Sequence, residues 1–496
     1  MVVVFVLVAL LVVTGVVAAN WYLWRRLFRD TTGGPGPVRR AGAVLIAGGW
    51  LLAVGALVAE RAGAPFWLQR TLAWPGFLWL ALALYLLLAT LATEPLRPVL
   101  RRLLSAGAPE PAPDPDGPLP VAQAPGREAG TADEPGSAHE PPSAAEPPSV
   151  HESPAAAESS PAAEPVLGRV SLPAVGMQSG SGRLAVGEAK TAAAGPAEPE
   201  APLAPGRPVP PADATSPSPR DLPSRRLFVS RVVAGGTAAV ALGTVGHGTY
   251  GVLRGPRVKR VTVPLAKLPR AAHGFRIAVV SDVHLGPVLG RGFAQKVVDT
   301  VNATQPDLIA VVGDLVDGSV KDLGPAAAPL AELRARHGAY FVTGNHEYFS
   351  GAEQWVEEVR RLGLHPLENA RTELPAFDLA GVNDVRGESE GQGPDFERAL
   401  GDRDTARACV LLAHQPVQIH EAVRHGVDLQ LSGHTHGGQL WPGSLLAAAA
   451  NPTVAGLERY GDTQLYVSRG AGAWGPPTRV GAPSDITVVQ LASKQA

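Results

Sequence analysis

The sequence predicts an α/β domain preceded by transmembrane α-helices and a disordered linker. Three observations support this prediction. Long apolar segments fill most of the first 91 residues, a Pro/Ala/Glu-rich segment follows them, and from about residue 257 short apolar runs alternate with stretches of helical spacing. Such alternation is typical of an α/β domain, because strands and helices must cover each other's apolar faces.

The composition changes sharply along the 496-residue chain, which is too long for one ordinary domain. Six of the nine Trp lie before residue 80, and 26 of the 48 Pro lie between residues 105 and 223. We therefore divide the chain into residues 1–104, 105–223, 224–256 and 257–496. The single cysteine, Cys409, excludes an intrachain disulfide and a cysteine-based zinc site, and its apolar neighbours favour a small buried strand residue.

Residues 1–104 are predicted to contain three membrane-spanning helices, at about 1–20, 41–58 and 74–91. The first lacks the basic start of a signal peptide and is followed by Trp and Tyr residues, which are typical of a membrane interface. The alternative is a set of three buried helices of a soluble domain, which the hydrophobicity of the segments disfavours.

Basic residues beside these spans predict an orientation. The loop between spans one and two contains five arginines, and three more follow span three: Arg25, Arg26, Arg29, Arg39, Arg40, Arg97, Arg101 and Arg102. The loop between spans two and three contains only Arg61 and Arg70, together with Glu60. By the positive-inside rule, the Arg-rich segments are cytoplasmic and the N-terminus faces outward.

Residues 105–223 contain no aromatic residue and show neither strand nor helix periodicity. Such a segment cannot bury enough apolar surface to offset the entropy of ordering, so it is predicted to be a disordered acidic linker.

A fourth apolar segment follows the predicted linker. Ser224, Arg225, Arg226 and Phe228 precede the weakly apolar stretch 232–246, and together they resemble a twin-arginine export signal. The alternative is a plain membrane anchor with a basic cytoplasmic flank. In both cases a fourth span carries residues 257–496 across the membrane, so that the α/β domain is extracytoplasmic and the protein is a multi-pass protein of the cell (inner) membrane.

Polar residues follow five of the apolar, strand-like runs. Asp282 and His284 follow residues 275–280, Asp314 follows 308–312, Asn345 and His346 follow 339–342, His414 follows 410–412, and His434 and His436 follow 429–431. Helical spacing is found at 293–301, 326–337 and 352–362. Ligands gather beyond the carboxyl ends of strands in α/β sheets, and a packed core histidine explains one such position rather than five.

The ordered set of motifs Asp-x-His, Gly-Asp, Gly-Asn-His-Glu, His and Gly-His-x-His resembles the calcineurin-like metallophosphoesterase superfamily over about 240 residues. The later segments 437–440, 468–470 and 474–477 resemble a membrane-associated branch that includes twin-arginine-exported bacterial phosphodiesterases. The resemblance implies a calcineurin-like αβ-sandwich.

The resemblance also implies two divalent metal ions. One would be held by Asp282, His284, Asp314 and His436, and the other by Asp314, Asn345, His414 and His434. Asp314 would bridge both ions. The mixture of imidazole and oxygen ligands suits Mn, Fe or Zn better than Ca. The two cations would activate a water for attack on phosphorus, with Asp314 among the catalytic residues and His346 protonating the leaving group.

Further residues are candidates for roles around the metal site. Arg469 and Asn345 are candidate substrate contacts, and Asp317 lies where some family members have a further carboxylate. Glu347 is a candidate for orienting His346 or a ligand, or a carboxylate favoured at the start of a helix. The position of Asn383 and Asp384 after a strand-like run favours a loop cap over a substrate contact.

The function that we predict is metal-dependent hydrolysis of a phosphate ester at the membrane, and the branch that the chain resembles implies a phosphodiester. A phospholipid or lipid-linked substrate fits the anchor. The net charge of −2 and the lack of a dense Lys/Arg block give no reason to expect nucleic acid as a partner. The alternative from another class is a membrane sensor or scaffold whose phosphoesterase-like domain only binds.

Overall fold

The computed structural model describes residues 2–106 and 225–495. The segment predicted to be a disordered linker therefore lies outside the described residues from residue 107 onward. The described residues form a group of apolar helices and an α/β domain, which belong to one compact unit.

Four helices of the described residues are long and apolar enough to cross a membrane. They are α1 (Val2–Trp24), α2 (Pro37–Arg61), α3 (Phe66–Thr93) and α5 (Arg225–Leu253), and the shorter α4 (Leu96–Ala106) follows α3. The first three are longer than the predicted apolar runs, because each helix continues into its flanking residues.

Glycines allow α2 and α3 to pack closely. A Cβ atom on Gly49 would lie 2.2 Å from the Trp79 ring, and one on Gly76 would lie 2.6 Å from the carbonyl oxygen of Leu52. Larger residues at these positions would push the helices apart. Small residues serve the same purpose in many pairs of membrane helices.

Polar contacts join three helices at the end of the group that is remote from the α/β domain. The Tyr22 hydroxyl and the Arg26 guanidinium both donate to Glu94, at 2.6 and 2.7 Å, and Arg231 donates to the carbonyl of Thr31 at 3.0 Å. The end of α1, the end of α3 and the start of α5 therefore lie on the same side. The side of the membrane that this end faces stays a prediction from the arginine distribution.

The α/β domain contains two six-stranded mixed sheets. The first has the order β1 (Arg257–Leu265), β12 (Asp485–Ser493), β2 (Arg276–Val280), β3 (Leu308–Val312), β4 (Ala339–Val342) and β5 (His365–Pro366). The second has the order β10 (Gly456–Tyr460), β11 (Thr463–Val467), β9 (Leu429–Ser432), β8 (Cys409–Leu412), β7 (Asp378–Gly381) and β6 (Ala370–Glu373). Strands β2, β3 and β4 are parallel, as are β7, β8, β9 and β11.

Helices cover the outer face of each sheet. The helices of the domain are α6 (Arg291–Ala303), α7 (Val320–Ala327), α8 (Asn345–Ser350), α9 (Ala352–Arg361), α10 (Phe396–Leu400), α11 (Ile419–Arg424) and α12 (Gly443–Ala450). One apolar cluster fills the space between the sheets, a second joins the first sheet to α6, α7 and α9, and a third joins the second sheet to α10 and α11. The inner strands β2, β3, β4 and β8 are buried on both faces, which explains their continuous apolar sequences.

The predicted α/β sandwich is confirmed, and the five predicted strands all form. The predicted helix at 326–337 is wrong: α7 ends at Ala327, a 3₁₀ turn covers Ala328–Glu332, and irregular chain follows. Pro325 and Pro329 each lack a backbone N–H, so a continuous hydrogen-bonded helix is disfavoured here despite the apolar spacing. Cys409 is fully buried on β8, as predicted.

The contact between α2 and α3 yields a stability prediction. We expect Gly76→Ala to destabilise the detergent-solubilised protein by about 1–3 kcal/mol, because the new methyl group overlaps the backbone of α2. Gly48→Ala is the matched control, since a Cβ there has no neighbour within 4 Å. The measurement is thermal unfolding, and an equal midpoint for the two variants would contradict the close contact.

Candidate metal centre

Seven of the side chains predicted to bind metal come together at the edge where strands of both sheets end. Asp282 and His284 follow β2, Asp314 follows β3, Asn345 begins α8 after β4, His414 follows β8, and His434 and His436 follow β9. The two sheets pack face to face on one core, so these five loops lie at the same edge of the sandwich.

One cluster contains Asp282, His284, Asp314 and His436, all of them buried, with one possible ligand atom from each within 4.8 Å of the others. The Nε2 atoms of His284 and His436 are 3.0 Å apart. His436 Nε2 is 3.4 Å from Asp282 Oδ1, and His284 Nε2 is 3.7 Å from Asp314 Oδ2. This is the set predicted for the first metal.

A second cluster contains Asp314, His414 and His434. His414 Nε2 lies 3.1 Å from Asp314 Oδ2, and His434 Nδ1 lies 2.9 Å from Asn345 Oδ1. Asp314 Oδ2 therefore faces imidazoles of both clusters. A shared carboxylate oxygen of this kind is what a two-ion centre requires.

The hydrogen bonding of His414 fits a cation at the second cluster. Its Nδ1 lies 2.8 Å from the carbonyl oxygen of Val312, a distance at which Nδ1 donates, so Nε2 is the nitrogen that can hold either a proton or a metal ion. Nε2 is buried and has no hydrogen-bond partner among the described residues, although Asp314 is close. Two electron-rich atoms that face each other in a buried site repel unless a positive charge lies between them.

The electrostatics of the site point the same way. Burial disfavours a charged imidazole, yet the carboxylates of Asp314 and Asp282 raise the pKa of His414 well above its ordinary value. The site therefore favours positive charge at this position. In contrast, burial and neighbouring His414 lower the pKa of His434 to about 4, which keeps it as the neutral imidazole that binds metal.

Backbone strain is concentrated at the same residues. Among the described residues, eight that are not glycine have positive φ, and five of these are predicted ligands: Asp282, His284, Asp314, His434 and His436. Such conformations are costly for residues with a Cβ and persist only where surrounding structure enforces them. The ligand loops are thus held in a fixed arrangement rather than relaxed individually.

Asp317 orients two imidazoles at once. Its Oδ1 lies 2.9 Å from His284 Nδ1 and 2.7 Å from His346 Nδ1. Donation from His284 Nδ1 leaves Nε2 available to a metal, which is the usual arrangement of a metal-binding histidine. Burial opposes a charged His346, but the hydrogen bond that His346 donates to the Asp317 carboxylate raises the pKa of His346 to about 9.

Glu347 holds two ligand loops together from beneath. Its carboxylate is fully buried and accepts hydrogen bonds from the backbone N–H groups of Asp314, Leu315 and Gly344, at 3.0, 2.7 and 2.6 Å. It is a helix-start carboxylate, as one alternative predicted, and it also fixes the backbone of the shared Asp314. Within the described residues, Glu347 makes no hydrogen bond with the His346 side chain.

Comparisons with known proteins agree with this geometry. The family described as calcineurin-like phosphoesterase matches residues 275–438, which include all seven converging side chains. A protein of Helicobacter pylori strain J99, described as an uncharacterized metallophosphoesterase, is 37% identical over 276 residues, which cover 55% of this chain and 74% of that protein. The chain belongs to the calcineurin-like metallophosphoesterase family.

Other relatives extend the similarity. A metallophosphoesterase of Aquifex aeolicus is 36% identical over 262 residues, covering 52% of this chain and 98% of that protein. A Danio rerio protein described as a transmembrane protein with metallophosphoesterase domain is 39% identical over 264 residues, covering 50% of this chain. The chain spans 60% of the length of that last relative.

Metallophosphoesterases are metal-dependent, and the buried Asp and His side chains of this member are able to hold metal. Arg479, which the sequence analysis did not identify, holds the loop of His436 in place. It is buried, donates to the carbonyl of His436 at 3.0 Å, and has Nη2 3.1 Å from His436 Nδ1. In the sequence, Arg479 is marked only by its position shortly after Trp474-Gly475-Pro476-Pro477.

The remaining candidates lie around the clusters. Arg469 is half-buried, and its Cγ would be 3.1 Å from a Cβ on Gly437, so it lies beside the loop of His436. Its proposed contact with phosphate stays a prediction. Asp384 caps a 3₁₀ turn by accepting from the backbone N–H of Arg386 at 2.8 Å, which agrees with the loop cap predicted there.

Aromatic and apolar side chains surround the opening. The His346 ring contacts Trp474 and Phe349, with centroids 5.5 and 5.6 Å apart, and both aromatic residues are more than half exposed. A narrow cleft joins His284, Asp317 and Trp474 to Glu60 of α2 and Phe77 of α3. The metal centre of this metallophosphoesterase therefore opens beside the apolar helices.

The role of Asp317 can be tested by metal binding. We expect Asp317→Asn to weaken the affinity of metal-free protein for Mn²⁺ by about 10–100-fold, because the neutral amide no longer holds His284 in the ligating tautomer. Titration calorimetry measures this, with Asp299→Asn on the exposed face of α6 as the control. An affinity equal to that of the control would show that Asp317 does not orient a ligand.

Proposed function

We propose that this protein is a membrane-anchored phosphodiesterase that uses two divalent metal ions. The observation that carries the proposal is the position of Asp314, whose Oδ2 atom faces the imidazoles of both clusters. The first site comprises Asp282, His284, Asp314 and His436, and the second comprises Asp314, Asn345, His414 and His434. This mixture of imidazole and oxygen ligands suits Mn, Fe or Zn.

Bound at these positions, the cations would act as Lewis acids toward a phosphate ester and a water nucleophile. The protein contributes the geometry of the shared carboxylate. The backbone N–H of His346 donates to Asp314 Oδ1 at 2.9 Å, and Glu347 accepts from the backbone N–H of Asp314. A rigid arrangement of charge lowers the energy of the transition state without reorganisation during the reaction.

His346 is proposed to protonate the leaving group. It sits at the opening and donates Nδ1–H to Asp317, which leaves Nε2 as the nitrogen that can deliver a proton to an alkoxide. A domain that only binds phosphate esters has no need of this histidine–carboxylate pair. The pair therefore favours hydrolysis over the alternative of a binding-only sensor or scaffold.

The substrate is proposed to be a phospholipid or a lipid-linked phosphodiester. The four apolar helices and the opening of the centre beside α2 and α3 favour a molecule that resides in the membrane. Following the arginine distribution, we propose that the helices cross the cell (inner) membrane and place the metal centre on the extracytoplasmic side. The twin-arginine-like segment at the start of α5 is consistent with that direction of export.

Replacement of His346 tests the catalytic role. We expect His346→Asn to lower kcat for a glycerophosphodiester, whose leaving group is an alkoxide, by about 10²–10⁴-fold in the presence of Mn²⁺, because that alkoxide loses its proton donor. Asp314→Ala should abolish metal binding as well as turnover. His420→Asn, on an exposed histidine remote from the clusters, is the control. Wild-type turnover in His346→Asn would sink the assignment.

Substrate class is tested by direct comparison. The full-length protein in vesicles is supplied with Mn²⁺ and with either a soluble nucleotide diester or a phospholipid diester. We expect release of phosphate-containing product from the lipid to be faster. Hydrolysis of the nucleotide alone, with the lipid intact, would refute a membrane-resident substrate while leaving the two-metal centre in place.

A further inference from the structure

An apolar segment follows the last ligand motif and leaves most of its side chains uncovered. Residues 440–450 read Leu-Trp-Pro-Gly-Ser-Leu-Leu-Ala-Ala-Ala-Ala and contain no charged side chain. They form a short turn and α12, which has no buried residue. Trp441, Leu445 and Leu446 are 55%, 69% and 77% exposed. Water is an unfavourable surrounding for such a contiguous apolar surface.

The segment lies beside the long apolar helices rather than above them. The Tyr85 hydroxyl of α3 donates to the carbonyl oxygen of Trp441 at 3.0 Å. Leu440 and Val480 pack against a cluster that includes Ala81 and Ala241 of α3 and α5. Contacts of Thr478 with Thr249, and of Arg479 with Gly248, continue along α5.

The depth of these contacts follows from helix geometry. Helix α3 has 28 residues, or about 42 Å at 1.5 Å per residue. The hydrocarbon core is about 30 Å thick, which needs about 20 residues. Wherever a 20-residue stretch of α3 fills that core, it includes Ala81 and Tyr85. The same reasoning applied to the 29 residues of α5 always includes Ala241. Trp441 therefore lies at a depth that the core occupies.

We infer that residues 440–450 are embedded in the acyl-chain layer of the bilayer, beside α3 and α5. Lipid chains, rather than water, then surround Trp441, Leu445 and Leu446. This segment is additional to the four spanning helices, and the matched family region ends at residue 438, just before it.

The inference also explains how the metal centre meets its substrate, and here it rests on the proposed function. Gln439, which precedes the segment, exchanges hydrogen bonds with the backbone of Trp474 at 2.8 and 3.0 Å. Trp474 in turn contacts His346. The embedded segment is thus connected to the rim of the opening. An amphiphile whose acyl chains stay in the bilayer can present its phosphodiester to the centre without leaving the membrane.

Site-specific fluorescence tests the embedding. Cys409 is the single cysteine and is buried, so a cysteine introduced by Leu445→Cys can be labelled selectively with the environment-sensitive dye NBD. Full-length protein is placed in phosphatidylethanolamine/phosphatidylglycerol vesicles without substrate or added metal. Val423→Cys is the matched control, because Val423 lies beside Leu265 at the far end of β1 from α5.

We expect doxyl-labelled lipids to quench the label at residue 445 several-fold more than the label at residue 423, and aqueous iodide to show the reverse order. Equal access of iodide to both labels would overturn the inference. Protection of residue 445 from both quenchers would also overturn it, because protein, such as a second copy of the chain, would then cover the segment.

Leu446→Cys provides a second position if the first variant does not fold. Because the measurement needs no hydrolysis, its outcome is independent of the catalytic proposal. Lipid quenching at residue 445 in a protein that hydrolyses no ester would reject only the proposed function, whereas iodide access in an active enzyme would reject only the embedding.

Discussion

The shared position of the Asp314 carboxylate is the constraint on which the rest of the site depends. For Oδ2 to face both clusters, the backbone of Asp314 must adopt a left-handed conformation, and its Oδ1 must be held by the N–H group of His346. The neighbouring loop can come this close because residue 344 is glycine, where a Cβ would lie 2.3 Å from Asp314 Oδ1. Glu347 then ties the two loops together. The packed core beneath these turns offsets the conformational free energy of their strained backbone.

The sandwich makes this arrangement possible because it brings two independent sets of parallel strand ends together. Asp282, Asp314 and Asn345 follow strands of the first sheet, whereas His414 and His434 follow strands of the second. Neither sheet alone carries a complete cluster. The apolar core between the sheets is therefore what sets the distances between ligands.

Much of the site could be predicted because strand ends are recognisable in the sequence and because ligands of α/β sheets collect there. The positions of Asp317 and Arg479 could not be predicted in the same way. Both act through hydrogen bonds to a histidine, and such contacts depend on the path of a loop rather than on residue spacing. The segment at residues 440–450 was missed for another reason. It is too short to meet the length expected of a spanning helix, so its apolar character gains meaning only from the contact of Trp441 with α3.

The connection between α5 and β1 has a consequence for where the centre can operate. Only residues 254–256 separate the end of α5 from the start of β1 along the chain, and Lys296 donates to the carbonyl of Leu253 at 2.6 Å. Three residues reach at most about 10 Å, so the centre cannot extend to a neighbouring membrane. The membrane-resident substrate that we propose would have to lie in the same bilayer as the helices. The rate of its hydrolysis would then depend on the number of substrate molecules per unit area of that bilayer, and lateral diffusion would replace diffusion from solution.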